Sequence, residues 1–383
     1  YVSGTITTTA DSDSASGGVQ ITAGGTGTVV LAGAIDTSGA DIGGGAAGGA
    51  VTITTTDGVV TVGAITTTGG DGTSGGQAGT IDVTTVGTTR DLTLNGTLTA
   101  LAGTGGSGST NTVTLTSTGA VVDGNGSTTN VSGGLLVIYA ATGIDIDTAV
   151  ASLDVTNATS GNIDIAEADD IQIVKATQTT AGDIQVVTTD GGITVSDGLA
   201  GDNVVVSLVG SGQLTLTAQE TTLGAGDITL VDDIVTVSGQ VLLTADDRIS
   251  FGSTATITST SGNVTLQADD DDAAGDNDDI LMVDGSVIDA GSGTISLDTN
   301  KAGGSNGGSI TVGRLVTTNT SATSIVLDSL TSVVDGGDTG GADIASGGRL
   351  VITSRTGVGS AGAIETAVAS LDVTNATSGN IDI

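Results

Sequence analysis

Apolar and polar residues alternate along this chain in short bursts, and each burst opens on one phrase, Gly-x-apolar-x-apolar. The phrase begins at Gly27, Gly49, Gly58 and Gly79. It returns at Gly161, Gly182, Gly191, Gly212, Gly226, Gly239, Gly262, Gly293 and Gly308. Alternation at period two puts one set of side chains on a buried face and the other in water, so each burst predicts a short β-strand. The glycine ahead of it predicts a tight turn that a Cβ would hinder.

The spacing of the bursts says more than the bursts do. The two steps from Gly49 to Gly58 to Gly79 are equal in length to those from Gly182 to Gly191 to Gly212. The neighbouring text agrees, Thr55-Thr56-Asp57-Gly58 matching Thr188-Thr189-Asp190-Gly191. This rhythm predicts an all-β fold, a parallel β-helix (β-solenoid) with coils of roughly 20–30 residues. Two or three strands per coil both fit. With coils about 4.8 Å apart, the expected body is an elongated rod on the order of 60–90 Å long. Stacked β-sandwich modules also show short strands with regular turns. They need large side chains to fill the space between sheets, and the chain offers only Tyr1, Tyr139, Phe251 and Met282.

A longer repeat is superposed on the short one. The stretch TAVASLDVTNATSGNIDI occurs at Thr148–Ile165 and again, letter for letter, at Thr366–Ile383. Looser echoes precede both copies: Val121-Val122-Asp123-Gly124 against Val333-Val334-Asp335-Gly336, and Leu136-Val137-Ile138 against Leu350-Val351-Ile352. The expected organisation is a segment 1–165 that ends one long repeat and a segment 166–383 that is one full period, joined as one continuous rod. A last coil that stops inside a strand unit is an open edge that recruits another chain.

Composition sharpens this picture. The apolar content is Val, Ile, Leu and Ala, set among Thr, Ser and 65 glycines, with no Pro, His, Cys or Trp. β-Branched side chains fit a pleated surface better than a helix. The formal charge is −36, from 43 acids against seven bases, and all but three of the acids are Asp, a turn residue. Such a field repels phosphates and attracts cations, which excludes nucleic acid as a partner. No apolar run is long enough to cross a bilayer as a helix, so no helical membrane span is expected. Tyr1 carries no signal peptide before it, which points to a processed chain or a segment of a longer one.

The densest charge lies between Gly262 and Gly293, where Asp269, Asp270, Asp271, Asp272, Asp276, Asp278 and Asp279 crowd together. Oxygen ligands in irregular geometry suit Ca²⁺, and a solvated acidic insertion at a corner is the competing reading. The pairs Asp169-Asp170, Asp232-Asp233 and Asp246-Asp247 mark corners, Asp247 being placed to pair with Arg248. Asn-x-Ser/Thr triplets begin at Asn95, Asn125, Asn130, Asn157, Asn263, Asn319 and Asn375. Asn157 and Asn375 share one place in the duplicated stretch, so glycosylation of one predicts glycosylation of the other. Catalysis is not expected, because the usual base and thiol nucleophile are missing and the seven bases are scattered. Thr5-Ile6-Thr7 and Thr52-Ile53-Thr54 are shaped like an ice-binding rank, but the rank is not kept from coil to coil.

Gly-x-apolar-x-apolar strands joined by Ala-Thr-Ser-Gly-Asn connectors resemble the β-strand repeats of large bacterial surface proteins. Filamentous-haemagglutinin-like and giant extracellular repeat adhesins are of this kind. The resemblance implies a right-handed parallel β-helix exported to the cell surface and acting as stalk, fibre or adhesin. The expected function is a structural repeat segment of an extracellular fibre, its partner a further copy of itself, end to end or side by side. The alternative is an adhesin shaft presenting a glycan- or receptor-binding loop at Ala322–Gly348 or Asp269–Asp279. A polysaccharide-cleaving β-helix is the remote third.

Overall fold

The computed structural model describes residues 1–9, 14–105, 111–199, 203–271, 278–299, 306–337 and 341–383. The described residues form 35 strands and no helix, so the all-β expectation holds throughout. The chain divides into two compact units, Tyr1–Ala168 and Asp169–Ile383. Each is a parallel β-solenoid.

In the first unit the chain winds through three walls per coil, and every strand pairs in parallel with its equivalents on neighbouring coils. One wall stacks Val19, Val51, Ile81, Val113, Leu136 and Leu153 in a single column. A second stacks Val29, Val60, Leu92, Val121, Ile144 and Ile163. The third stacks Ile6, Ile35, Ile65, Leu98, Val131, Thr148 and Glu167. Apart from Ile6 and Val19 on the first coils, every member is buried, so these columns are the core. Three walls settle the number of strands per coil.

The second unit repeats the plan. One wall carries Ile171, Ile193, Ile228, Ile249, Ile280 and Ile310, six isoleucines in register, continued by Val333. Another carries Ile184, Leu214, Val241, Val264, Ile295, Ile325, Leu350 and Leu371. Phe251 stacks on Met282 inside, which places the scarce large side chains on adjacent coils. Branched aliphatics of like size fill a narrow interior without voids, which is why the chain needs so few aromatics.

Coil length varies more widely than the spacing of the bursts predicts. The coil is short between Leu136 and Leu153 and about twice as long between Ile193 and Ile228. The walls are constant and the corners absorb the difference. Where a corner carries no loop, one strand runs across two walls, as in Val131–Ala140 and Ile144–Asn157.

All thirteen Gly-led bursts are followed by a strand. The expected reason for the glycine needs correcting at most of them. Only Gly161 (φ 80°) and Gly182 (φ 151°) have positive φ. Elsewhere the need is proximity: a Cβ on Gly262 would fall on the carbonyl of Gly239, and one on Gly293 on that of Gly262. Coils approach most closely at these corners, and glycine must be stacked on glycine.

Buried hydroxyls seal the corners. Thr55 and Thr188, the first residues of the matching Thr-Thr-Asp-Gly texts, are fully buried and donate to the carbonyls of Gly58 and Gly191. A carbonyl that turns away from the ladder would otherwise lie buried without a donor.

Candidate functional site

The acidic stretch that interrupts the strand rhythm lies at the corner after strand Val264–Gln267. Asp269 is fully buried and Asp278 is 6 % exposed, whereas Asp271 is exposed and Asp270 and Asp279 are intermediate. Asp272 and Asp276 lie outside the described residues. The corner is built on a column of further acids. Asp246 accepts the N–H of Glu220 (2.8 Å), Asp247 accepts that of Gly226 (3.0 Å), and the Asp269 N–H donates to the carbonyl of Asp247 (3.3 Å). Asp279 is used locally, taking the N–H and hydroxyl of Ser309 at 2.6 and 2.9 Å. Among the described residues no three acidic side chains converge on a point that would hold an ion.

A second acidic arrangement, in the first unit, was missed from sequence. Val122, Asp145 and Asp164 stand in register on three successive strands, facing outward. Like charges one coil apart repel at about 4.8 Å. Loss of solvent, then repulsion from Asp145, holds the Asp164 carboxyl above its ordinary value. Asp147 is raised by burial first and then by Asp123, Asp145 and Asp164. Val122, Thr142, Gly143, Asp145, Asn162 and Asp164 line a shallow concavity of about 260 Å³. Aligning the alternating Asp of Gly-Ile-Asp-Ile-Asp (143–147) with that of Gly-Asn-Ile-Asp-Ile (161–165) would have found it.

Other candidates resolve one by one. The pairs Asp169-Asp170 and Asp246-Asp247 sit at corners, as expected, and so does Asp232, whereas Asp233 opens strand Asp233–Thr236. Arg248 does not do what adjacency suggested: its guanidinium reaches Asp227 one coil back, at 3.0 Å, since side chains on a strand meet their ladder neighbours. Arg90 likewise pairs with Asp57, 3.0 Å away on the preceding coil. Within Ala322–Gly348 the described residues include strands Ile325–Asp328 and Val333–Asp335 and the start of Ile344–Ser354, all in ordinary walls; residues 338–340 lie outside the described residues. Asn157 and Asn130 are fully buried, so neither presents an amide to a glycosylating enzyme in the folded chain. The two sites of the duplicated stretch therefore differ in exposure, Asn157 being buried and Asn375 half-buried. The Thr52 rank is broken as anticipated, its register neighbours being Gln20 and Asp82.

The chain matches no protein-family model, no curated protein and no solved structure. The residues themselves therefore carry the functional reading.

Proposed function

We propose that this chain is a structural repeat segment of an extracellular bacterial fibre or stalk, in which length and stiffness are the function and the main partner is another copy. The observation that supports this most is the contrast between the inside and outside of one wall. The inward column Val19, Val51, Ile81, Val113, Leu136, Leu153 keeps its character over six coils. The outward column beside it reads Gln20, Thr52, Asp82, Thr114, Val137, Asp154 and keeps nothing. A surface built to bind a repeating ligand would hold its outward chemistry in register, whereas a surface that only has to stay wet would not.

Calcium belongs to the same reading. Carboxylate oxygens suit Ca²⁺ better than zinc or copper, and Asp269 and Asp278 stand buried at the corner of the acidic stretch without forming a ready-made ion site among the described residues. The acidic load of 43 carboxyl groups adds a general attraction for divalent ions.

Electron microscopy of the native material, prepared with calcium and again with a chelator, tests both parts. The expected result is filaments of uniform width that loosen when calcium is withdrawn. Dispersed single particles that bind a glycan with saturable affinity would replace the fibre reading with the adhesin shaft. Filaments indifferent to the chelator would remove calcium alone.

A further inference from the structure

The two copies of the duplicated stretch take the same local conformation. Asn157 Nδ2 donates to the carbonyls of Ser160 and Gly161, both at 3.0 Å, and Asn375 Nδ2 does so to Ser378 (2.8 Å) and Gly379 (3.1 Å). Gly161 and Gly379 hold φ of 80° and 84°. Their inner neighbours correspond too. Thr148 pairs with Val131 and Leu153 with Leu136, while Thr366 pairs with Ile344 and Leu371 with Leu350.

Their outer edges differ. Leu153, Val155, Ile163 and Ile165 are fully buried in the first copy. In the second, Leu371 is 43 % exposed, Ile381 51 % and Ile383 39 %. Part of the cover on the first copy is supplied by the three residues that follow it. Glu167 lies in register on Thr148, is 1 % exposed, and accepts the Thr148 hydroxyl (2.7 Å) and the Val150 N–H (3.2 Å). The Ala168 N–H donates to the Thr148 carbonyl at 2.9 Å.

We propose that the outer edge of strand Thr366–Asn375 is a docking face for a second copy of the long period that starts at Ala166. The period is then a self-compatible building unit: its last coil presents, letter for letter, the surface that its own first residues cover. This deepens the structural-repeat reading and rests on it.

Two features select this occupant. The parallel pairing of the second unit continues through Ile325, Leu350 and Leu371, past one bulge between Ser346 and Arg349, so the face extends an existing coil-on-coil interface. The third-wall column supplies the chemistry. It runs Ala176, Val206, Ile234, Ile257, Ile288, Leu315 and Ile344, then turns polar at Thr366. A coil placing another aliphatic residue there would bury the Thr366 hydroxyl against hydrocarbon. A coil opening with Ala-Glu supplies a carboxylate to that hydroxyl and to the Val368 N–H, as Glu167 does for Thr148 and Val150.

The test is the full chain carrying a second 166–383 segment directly after Ile383, compared with the chain alone by amide hydrogen exchange. Exchange at Ser370–Asn375 is expected to slow on the order of 100-fold, to the level of Ser152–Asn157 in the same protein. Unchanged exchange at these amides overturns the proposal, even if native filaments exist. Glu167→Leu made only in the appended copy is expected to return most of the protection to its unextended level, and full retention would overturn the selective role of the carboxylate. Should the long tandem aggregate, an extension by the 166–199 segment alone gives the same readout.

Discussion

Thr148–Ile165 and Thr366–Ile383 are spelled identically, yet one is core and the other is surface. What they share is local: the Asn-held turn, the left-handed glycine and, apart from a one-residue bulge between Ser346 and Arg349, the pairing on the preceding strand. What separates them is whether Glu167 and Ala168 follow to cover the outer edge. In a solenoid each coil is stable chiefly through its nearest neighbours, so identical text yields unequal stability by position. The sharpest way to break that comparison is a truncation at matched sites. Leu153→Ala empties a closed interior and is expected to cost about 3 kcal/mol. Leu371→Ala removes a side chain already 43 % exposed and is expected to cost under about 1 kcal/mol. Denaturant unfolding of both variants measures the gap, and equal losses would show that the outer copy is covered after all.

Upstream of the two copies one buried position exchanges an amide for a carboxyl, and that difference titrates. Asn130 precedes strand Val131–Ala140, is fully buried, and accepts the Asp147 N–H at 2.8 Å. Asp343 precedes strand Ile344–Ser354, is 2 % exposed, and accepts the Glu365 N–H at 3.0 Å. The positions are equivalent, but one carries a neutral amide and the other a carboxyl. Burial, with repulsion from Glu365 and Asp335, pushes Asp343 up to about 7 despite the N–H that favours its charge. Between its ordinary value of 3.8 and about 7 the folded state keeps a proton that the unfolded chain has released. Stability therefore falls as pH rises through that window. Asp147 and Asp164, also raised, act in the same sense. Asp71 and Asp190 are lowered by N–H donors from the next coil, and their contribution is lost only as pH falls below the ordinary range. Asp343→Asn, copying the first repeat, is expected to leave stability unchanged near pH 4 and raise it by about 2 kcal/mol above pH 7. Melting curves across that range decide it; a constant offset at every pH would mean that the carboxyl does not titrate there.

The same pairs of positions show what the sequence can disclose. Thirteen strands, the wall direction and the duplicated stretch were legible because period-two alternation and exact repetition are carried by neighbouring letters. The third wall was not, because its strands are as short as Ile35–Asp36 and Ile65–Thr66 and lack the Gly-led phrase. The recurrence of Gly-Ala-Ile at 33–35 and 63–65 was the available signal. Partners across coils stayed hidden for a physical reason. Arg248 finds Asp227 rather than Asp247, and Glu167 finds Thr148, because a ladder joins residues about one coil length apart, and coil length varies with the corners. Burial of Asp343 and of Asn157 follows from the same ladder and has no local signature.

The smallest expected difference between the copies is at the asparagine that both contain. Asn157 makes its two turn bonds and also accepts the Gly143 N–H at 3.1 Å, inside the core. Asn375 makes the two turn bonds at a half-exposed site where water replaces what the side chain gives up. Asn157→Ala therefore strands one donor and two acceptors, for an expected loss of about 2 kcal/mol. Asn375→Ala is expected to cost about 1 kcal/mol, the share due to the turn alone. Asn375→Ala in the tandem chain adds the decisive arm. If a second period covers that coil, its cost rises to that of Asn157→Ala, because the asparagine side chain then lies away from solvent, as that of Asn157 does. A cost that stays near that of the single chain would mean that the appended segment folds elsewhere and that the two copies are alike only in their letters.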